Sequence, residues 1–370
     1  MTLPSRAQTV VIGAGIVGVC TAMYLAREKH ETVLLDRGSP WSDASGINAG
    51  TLSLQVKAPA VWSLCALALK LWSRLVGEIK GDLGFVRSGG LRVALDHGEC
   101  AQLAESVRAQ RAAGLAVELL ERDELTEQAP WLGGEVLAAS RCDEDAYASP
   151  LLAGPALLQA AESSGVLVGA HTEVTAFERC AEGYRVHTEC GEIYCRNLVI
   201  SAGAGTEMLA AQLGISIPVS ADLNMLHVTE AAPQFMSGII THIGGVLSLK
   251  QYTNGTCVIG GGWQGRGSLG EPSPQIDHEN LHHNLRIATR VVPALRDLRL
   301  VRSWTGFEAL AADGLPVLGA VPGHDGLYVG ACARGGYTLG PAQAWILSQQ
   351  IVGRPCELDI SAFGPARFQP

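Results

Sequence analysis

Charge is scarce in this chain: Asp, Glu, Lys and Arg make up 17% of its 370 residues, against roughly 25% in an average soluble domain. With hydrophobic residues at 47%, this excludes a disordered chain and acidic or basic tails, and it implies a large buried core. The sequence has no C-x-x-C pair. Its ten cysteines (Cys20, Cys65, Cys100, Cys142, Cys180, Cys190, Cys195, Cys257, Cys332 and Cys356) are scattered, with Cys190 and Cys195 the one close couple. Such scatter reads as reduced, mostly buried thiols and favours a cytoplasmic setting over a disulfide framework or an iron–sulfur site. Long apolar runs are also missing. Residues 10–25 lack a strong basic leader and are broken by glycines at fixed spacing, so export is not expected. Residues 61–76 contain Lys70 and Arg74 and fall short of the roughly 18 apolar residues a spanning helix needs. They read as an amphipathic helix, either a core element or a docking face for a membrane or another subunit. A net charge of −9 and a pI near 5.6 argue against a nucleic acid partner. No nucleophile elbow, Walker loop or internal repeat is visible.

What the chain has in excess is glycine, 44 residues, well above the roughly 7% that is usual. With no G-X-Y period, that abundance points to tight backbone approaches of the kind bound cofactors create. The length exceeds what one ordinary core fills and suits two.

The most informative segment is at the start. A β-rich run, Thr9 to Ile12, leads into Gly13-Ala14-Gly15-Ile16-Val17-Gly18 and a helical pattern over residues 19–29. A second strand, residues 31–36, ends on Asp36, eighteen residues after Gly18. Strand, glycine turn, helix and terminal acid together make the βαβ unit of a dinucleotide-binding fold. The first glycine permits the turn, the second lets backbone approach a pyrophosphate, and the third lets helix and strand pack closely. The helix N-terminus then faces the phosphates. Asp36 accepts hydrogen bonds from ribose hydroxyls and repels a 2′-phosphate, which disfavours NADP and leaves FAD or NAD. Near the other end, Arg302-Ser303-Trp304-Thr305-Gly306-Phe307-Glu308 leads to Asp313-Gly314-Leu315-Pro316 and a strand over 326–330. There follows Ala333-Arg334-Gly335-Gly336-Tyr337-Thr338-Leu339-Gly340-Pro341, which opens a helix expected over about 342–352. That is a second helix N-terminus prepared for an anion.

Together these runs resemble the FAD-dependent D-amino-acid oxidase superfamily over nearly the whole chain. Besides the two ends, the resemblance rests on Ser42-Asp43-Ala44-Ser45-Gly46-Ile47-Asn48-Ala49-Gly50-Thr51-Leu52, on Asp143-Glu144-Asp145-Ala146-Tyr147-Ala148-Ser149-Pro150, and on Leu198-Val199-Ile200-Ser201-Ala202-Gly203-Ala204. Asn48-Ala49-Gly50 and Trp304 to Glu308 look most like the catalytic flavin subunits of heteromeric bacterial dehydrogenases: D-hydroxyproline dehydrogenase, opine oxidases and hydrogen cyanide synthase. The resemblance implies an α/β fold of discontinuous, glutathione-reductase-like architecture. Residues 1–90, 146–219 and 303–370 would build a Rossmann-like FAD-binding domain, and 91–145 and 220–302 a mixed-sheet substrate domain with a strand near 256–261.

The resemblance also implies roles. Gly13, Ala14, Gly15, Ile16, Val17 and Gly18 would hold the FAD pyrophosphate, and Asp36 with Arg37 the adenosine ribose. Ser45, Gly46, Asn48, Ala49, Gly50, Thr51 and Leu52 would line the dinucleotide up to the flavin. Val174 would meet adenine, and Ala202 and Gly203 would lie beneath the pyrophosphate. Gly335, Gly336, Tyr337, Thr338 and Leu339 would present amides to the flavin's pyrimidine edge, where negative charge develops. Non-covalent FAD is expected, since Cys332 shows no match in register to a flavin-tethering cysteine. Catalytic roles fall to Glu308, Arg334 and Tyr337. Many relatives place a carboxylate-clamping arginine where this chain has Glu308; Arg334, Lys250 and Arg302 are candidate replacements. Glu308 either selects a cationic nitrogen or is a structural acid paired with Arg302.

The implied reaction is oxidation of the carbon–nitrogen bond of an amino or imino acid, D-hydroxyproline-like or N-substituted, by hydride transfer to flavin, giving an imine. Partners would be other subunits, one carrying an iron–sulfur cluster, and weak membrane association stays open. The alternatives are an oxygen-using opine or glycine oxidase, a non-catalytic electron-transfer flavoprotein subunit and, more remotely, a nicotinamide dehydrogenase. His278-Glu279-Asn280-Leu281-His282 matches the zinc-protease signature, but the run from Asp277 to Arg286 and Arg290 reads as a capped, solvated helix, and no metal is expected.

Overall fold

The computed structural model describes residues 3–271, 274–331, 334–356 and 358–369. Two eight-stranded sheets dominate a mixed α/β fold. In the first, Arg6–Ile12 pairs in parallel with Thr32–Leu35 on one side and Gly191–Ile200 on the other. Leu167–Gly169 and Leu327–Ala331 extend the parallel set, and Val317–Ala320 closes one edge antiparallel. The helix α1 (Ile16–Arg27) forms the crossover between the first two strands. Alternation sorts the side chains. Val11, Leu34 and Val199 face α1 and the C-terminal helix, while Val10, Ile12, Val33 and Leu35 face a second apolar layer that includes Phe177 and Tyr184.

Three further long helices belong to this half: α2 (Trp62–Glu78), α3 (Pro150–Ser163) and α4 (Gly336–Ile351). Leu64, Cys65, Ala68, Leu69, Leu71, Trp72 and Leu75 of α2 recur at helical spacing and are all buried. Residues 59–78 are long and apolar enough by composition to cross a membrane, yet this stripe is spent inside the fold. Trp72 is fully buried, lies 5.2 Å from the Tyr337 ring and donates from Nε1 to the Thr338 carbonyl. Of the two readings of this segment, its buried stripe makes it a core element, and its outer side carries Lys70, Arg74 and the exposed Val76.

The second sheet runs in the order Leu300–Ala311, Val219–Ala231, Thr256–Gly260, Ser248–Gln251, Ile239–His242, Gly90–Ala94, Ala138–Cys142 and Glu118–Glu121. One face, with Val93, Ile240, Leu249 and Ile259, is covered by the helix His278–Val291. Asp277 caps that helix through the Glu279 and Asn280 amides, as the run of charges there suggests. The other face looks toward the first half of the molecule.

Two expectations about element limits need correction. The segment from 303 does not start within the flavin-binding half: the strand Leu300–Ala311 pairs along its length with Val219–Ala231 and so belongs to the second sheet. The C-terminal helix does not wait for Pro341, as a start near 342 would require. It begins at Gly336, because Gly335 adopts a left-handed φ of 79° as its N-cap, and Pro341 sits inside it. Trp72→Ala removes the ring that joins α2 to α4. It should lower stability by about 3–5 kcal/mol, seen as a clear drop in Tm, and an unchanged melt would show that the α2–α4 contact is not part of the cooperative core.

Candidate active site

A crevice of about 920 Å³ runs between the two sheets. Its first wall begins at the glycine turn. Gly13 has φ 101°, and a Cβ there would stand 2.5 Å from the Ser201 carbonyl oxygen, so only glycine lets the turn pass over the neighbouring strand end. A Cβ on Gly18 would stand 1.9 Å from the Gly13 oxygen, which makes the third glycine a packing residue between helix and strand. Gly15 differs. It caps α1 with φ −78° and lines the crevice, and the nearest atom to a Cβ added there is the Ser45 hydroxyl oxygen at 3.0 Å. That hydroxyl accepts from the Ile16 amide at 2.9 Å. The Asp36 carboxylate is fixed by the Ala14 amide at 2.7 Å and the Gly38 amide at 2.8 Å, which use two of its roughly four acceptor positions.

Most residues expected to hold a dinucleotide come together on this wall. Gly13, Gly15, Ile16, Val17, Asp36, Arg37, Ser45, Asn48, Ala49, Thr51, Val174, Ala202, Gly203, Gly335, Gly336, Tyr337, Thr338 and Leu339 all line the crevice. Five expected residues do not. Ala14 is buried behind the turn, its amide on Asp36 and its carbonyl accepting from Trp41. Gly18 is taken up by the strand contact, and a Cβ on Gly46 would stand 2.0 Å from the Trp41 oxygen. Gly50, at φ 72°, turns the chain against the Ala148 carbonyl, and Leu52 is fully buried core. Cys332 lies outside the described residues. The surface fits FAD: a helix N-terminus reached without side-chain obstruction, an acid at the end of the second strand, and a continuous cavity from Thr172 and Val174 to the start of α4.

The second wall comes from the other sheet and meets the start of α4 at Glu308. Its carboxylate accepts from the Gly335 amide at 2.6 Å and from Asn224 Nδ2 at 2.8 Å, and Gln264 Nε2 in turn donates to Asn224 Oδ1 at 2.6 Å. Burial pushes the Glu308 carboxyl above the usual carboxylate range, opposed by the Gly335 hydrogen bond and by the nearby Arg334 and Lys57 charges. The alternative pairing of Glu308 with Arg302 is not made. Arg334 is half exposed and paired with Asp222. Tyr337 is not a free hydroxyl at the surface of the crevice: its ring is buried between Trp41 and Trp72, and its oxygen has no hydrogen-bond partner among the described residues. Lys250 is fully buried, donates to the Ala49 carbonyl, and is pulled down to about 7 by burial. It does not line the crevice and so is committed to the backbone, away from any substrate carboxylate.

Several lining residues escape sequence reasoning. Lys57 donates from Nζ to the Gly335 carbonyl at 3.2 Å and brings a cation to the Glu308 end. Asn224, Arg92, Thr241 and Ser248 line the same space from the second sheet. The one available signal is a polar residue inside an otherwise apolar strand, as Arg92 in Gly90–Ala94.

Residues 8–350 match the protein family described as FAD dependent oxidoreductase, DAO. The chain is 28% identical to the opine oxidase B chain of Rhizobium meliloti, covering 97% of this chain and 96% of that one. It is 30% identical to the HcnC subunit of hydrogen cyanide synthase from Pseudomonas aeruginosa, covering 98% and 96%. The L-proline dehydrogenase structure from P. horikoshii shares the fold with a TM-score of 0.91 at 24% identity, covering 99% of each chain. Gly15→Val should leave a folded but colourless protein, since φ −78° suits any residue while the added methyls occupy the crevice. The flavin absorption of the purified variant checks this, and full flavin content would show that the turn does not hold the cofactor.

Proposed function

The chain belongs to the FAD dependent oxidoreductase family, DAO, and on that premise we propose that it oxidises the carbon–nitrogen bond of an N-substituted or cyclic amino acid to an imine. At the coarser level it is an FAD-dependent oxidoreductase acting on amino acids or amines. When bound, FAD supplies the acceptor for the hydride that leaves the carbon next to nitrogen. The chain's own residues then have three tasks. The two sheets exclude water from the crevice and fix the substrate against the wall formed by residues 335–339. That wall is the N-terminus of α4, and its positive end faces the crevice. Glu308, with a lone pair left on each oxygen after its two hydrogen bonds, accepts an N–H from the substrate and orients the nitrogen.

The observation that carries this reading is Glu308 itself: a largely buried carboxylate, held by neutral donors and facing the crevice where many relatives carry a cation. A secondary amine, more basic and with fewer N–H groups than glycine, suits one well-placed acceptor. The opine oxidase chain, aligned along nearly the whole length, points the same way by its name. The FAD is held without a covalent link, and an acid-precipitated sample releases its colour.

Anaerobic mixing of the protein with D-amino acids, cyclic imino acids and opines should bleach the flavin with at least one N-substituted or cyclic compound. Glu308→Gln should slow that bleaching by about 10- to 100-fold, the size of a lost hydrogen bond to a charged group, with FAD retention unchanged. Equal losses in both, or none, count against the role of Glu308. The second part of the proposal is that the chain works as the flavin subunit of a heteromeric dehydrogenase. Relatives named as subunits, including the beta chain of sarcosine oxidase from Rhizobium meliloti, support it. Purification from the native source should co-isolate different chains, one with an iron–sulfur cluster. A homo-oligomer that turns over rapidly with oxygen and releases peroxide would move the protein to the oxidases.

A further inference from the structure

Of the lysines and arginines among the described residues, Arg37, Lys57, Arg92 and Arg334 line the crevice. Arg37 lies beside Asp36 at the glycine-turn end. Arg92 turns Nη1 and Nη2 onto the Gln55 and Ile243 carbonyls, and Arg334 is paired with Asp222. Lys57 differs. It makes no ion pair among the described residues, and its Nζ has one acceptor among them, the Gly335 carbonyl at 3.2 Å. Two of the three N–H groups of the ammonium are left for a ligand.

Lys57 is a placed side chain. Its amide donates to the Leu54 carbonyl at 3.1 Å, and its own carbonyl accepts from Trp62 Nε1 at 2.8 Å. Gly335 makes room for it, since a Cβ there would stand 1.9 Å from Nζ. The same glycine donates from its amide to Glu308. A cation and a carboxylate thus sit on the two ends of one residue. They do not meet: no ion pair joins Lys57 to Glu308, although the lysine charge opposes the rise of the Glu308 carboxyl. Both residues are partly exposed and both line the crevice, so a ligand reaches them without displacing either. Opposite charges held apart in a cavity are each left short of a partner until something with the complementary pair fills the gap.

An α-amino acid has that pair at the required spacing. The path from Lys57 Nζ through Gly335 to the Glu308 oxygen sets an upper limit of about 9 Å. The nitrogen and a carboxylate oxygen of an α-amino acid lie about 2.7–3.6 Å apart, and a charge-assisted hydrogen bond at each end adds about 2.8 Å. One molecule spans the gap.

We propose that Lys57 anchors the α-carboxylate of the substrate while Glu308 holds its nitrogen, so that the crevice takes zwitterionic α-amino acids with a free carboxylate and rejects their amides and simple amines. The inference rests on the crevice being the amine site, and it narrows that reading to this class. It also orients the substrate, with nitrogen toward the strand Leu300–Ala311, carboxylate toward the segment that precedes α2, and the carbon between them against the start of α4. That polarity is the reverse of the one an arginine at position 308 would impose.

The test is calorimetric titration of the FAD-loaded protein with pyrrole-2-carboxylate. This probe has an N–H and a carboxylate in the relation found in an α-amino acid, and its carboxyl-bearing carbon has no hydrogen to lose, so it binds without reacting. It is compared with pyrrole-2-carboxamide, which lacks the charge, and with furan-2-carboxylate, which lacks the N–H. The wild type should bind the pyrrole acid about 10- to 100-fold tighter than either. Lys57→Met should bring acid and amide within about threefold and keep the preference over the furan acid, whereas Glu308→Gln should do the reverse, with FAD content unchanged in both. Lys57→Gln retains a donor for the Gly335 carbonyl without the charge and should behave as Lys57→Met does. A wild type that does not prefer the acid over the amide, or a Lys57→Met or Lys57→Gln protein that keeps the preference, overturns the anchor. A preference lost in Lys57→Met and kept in Lys57→Gln would show that Lys57 acts only by holding Gly335. Failure of every amine to bleach the flavin would instead overturn the reaction proposed for the crevice, whatever the titrations show.

Discussion

Asp145 holds the two halves of the molecule in register. It follows the strand Ala138–Cys142 of the second sheet and precedes α3 of the first half, so the chain crosses between them at this point. Its carboxylate is fully buried and accepts from Ser53 Oγ, the Leu54 amide and Gln55 Nε2, all on the segment between Thr51–Leu52 and α2. Burial pushes the Asp145 carboxyl above the usual carboxylate range, and those three hydrogen bonds oppose the shift. Gln55 passes the arrangement on: its side chain meets Ser140 and the Gly90 carbonyl, and its own carbonyl receives Gln110 and Arg92. One crossing between the two halves is thus made rigid by a single buried acid.

From that crossing the two walls acquire different characters. The first wall is backbone: a glycine turn, a helix N-terminus, and amides already bonded to Asp36 before any ligand arrives. The second is side chains on strands, with Glu308 and Asn224 at one pole and Arg92 and Thr241 at the other. Backbone suits a cofactor whose phosphates and ring are constant, because amides offer fixed donors with no rotamer to lose. Side chains suit selection among substrates, because each can change without moving the strand that carries it. Contacts that tie the walls together include Trp304 donating to the Ile47 carbonyl, Lys250 to Ala49, and Lys57 to Gly335.

What the sequence reveals and what it hides divide along the same line. Gly13, Gly15 and Asp36 are legible because a turn, a helix start and a strand end lie within a few dozen residues and each has a local signature. Glu308 is found only by its place after a recognisable tryptophan–glycine run, and its real partners, Gly335 and Asn224, lie 27 and 84 residues away. Arg92 and Thr241 are 149 residues apart in sequence and meet only through strand register, which no single-chain pattern reports. The start of α4 is misread because Pro341 suggests a first turn, while the left-handed Gly335 sets the cap six residues earlier. Gly46 and Gly50 look like ligand contacts and are instead places where two stretches of backbone nearly touch.

The separation of the walls onto two sheets has a consequence for descent. A mutation at Arg92, Thr241 or Glu308 changes a side chain on a strand of the second sheet, and it leaves the glycine turn and Asp36 untouched. Drift in the second sheet is therefore nearly silent to the flavin, while drift in the first is purged by loss of the cofactor. Lineages of this fold can exchange one nitrogen compound for another by a few substitutions on the far wall, and their ancestry stays written in the near one.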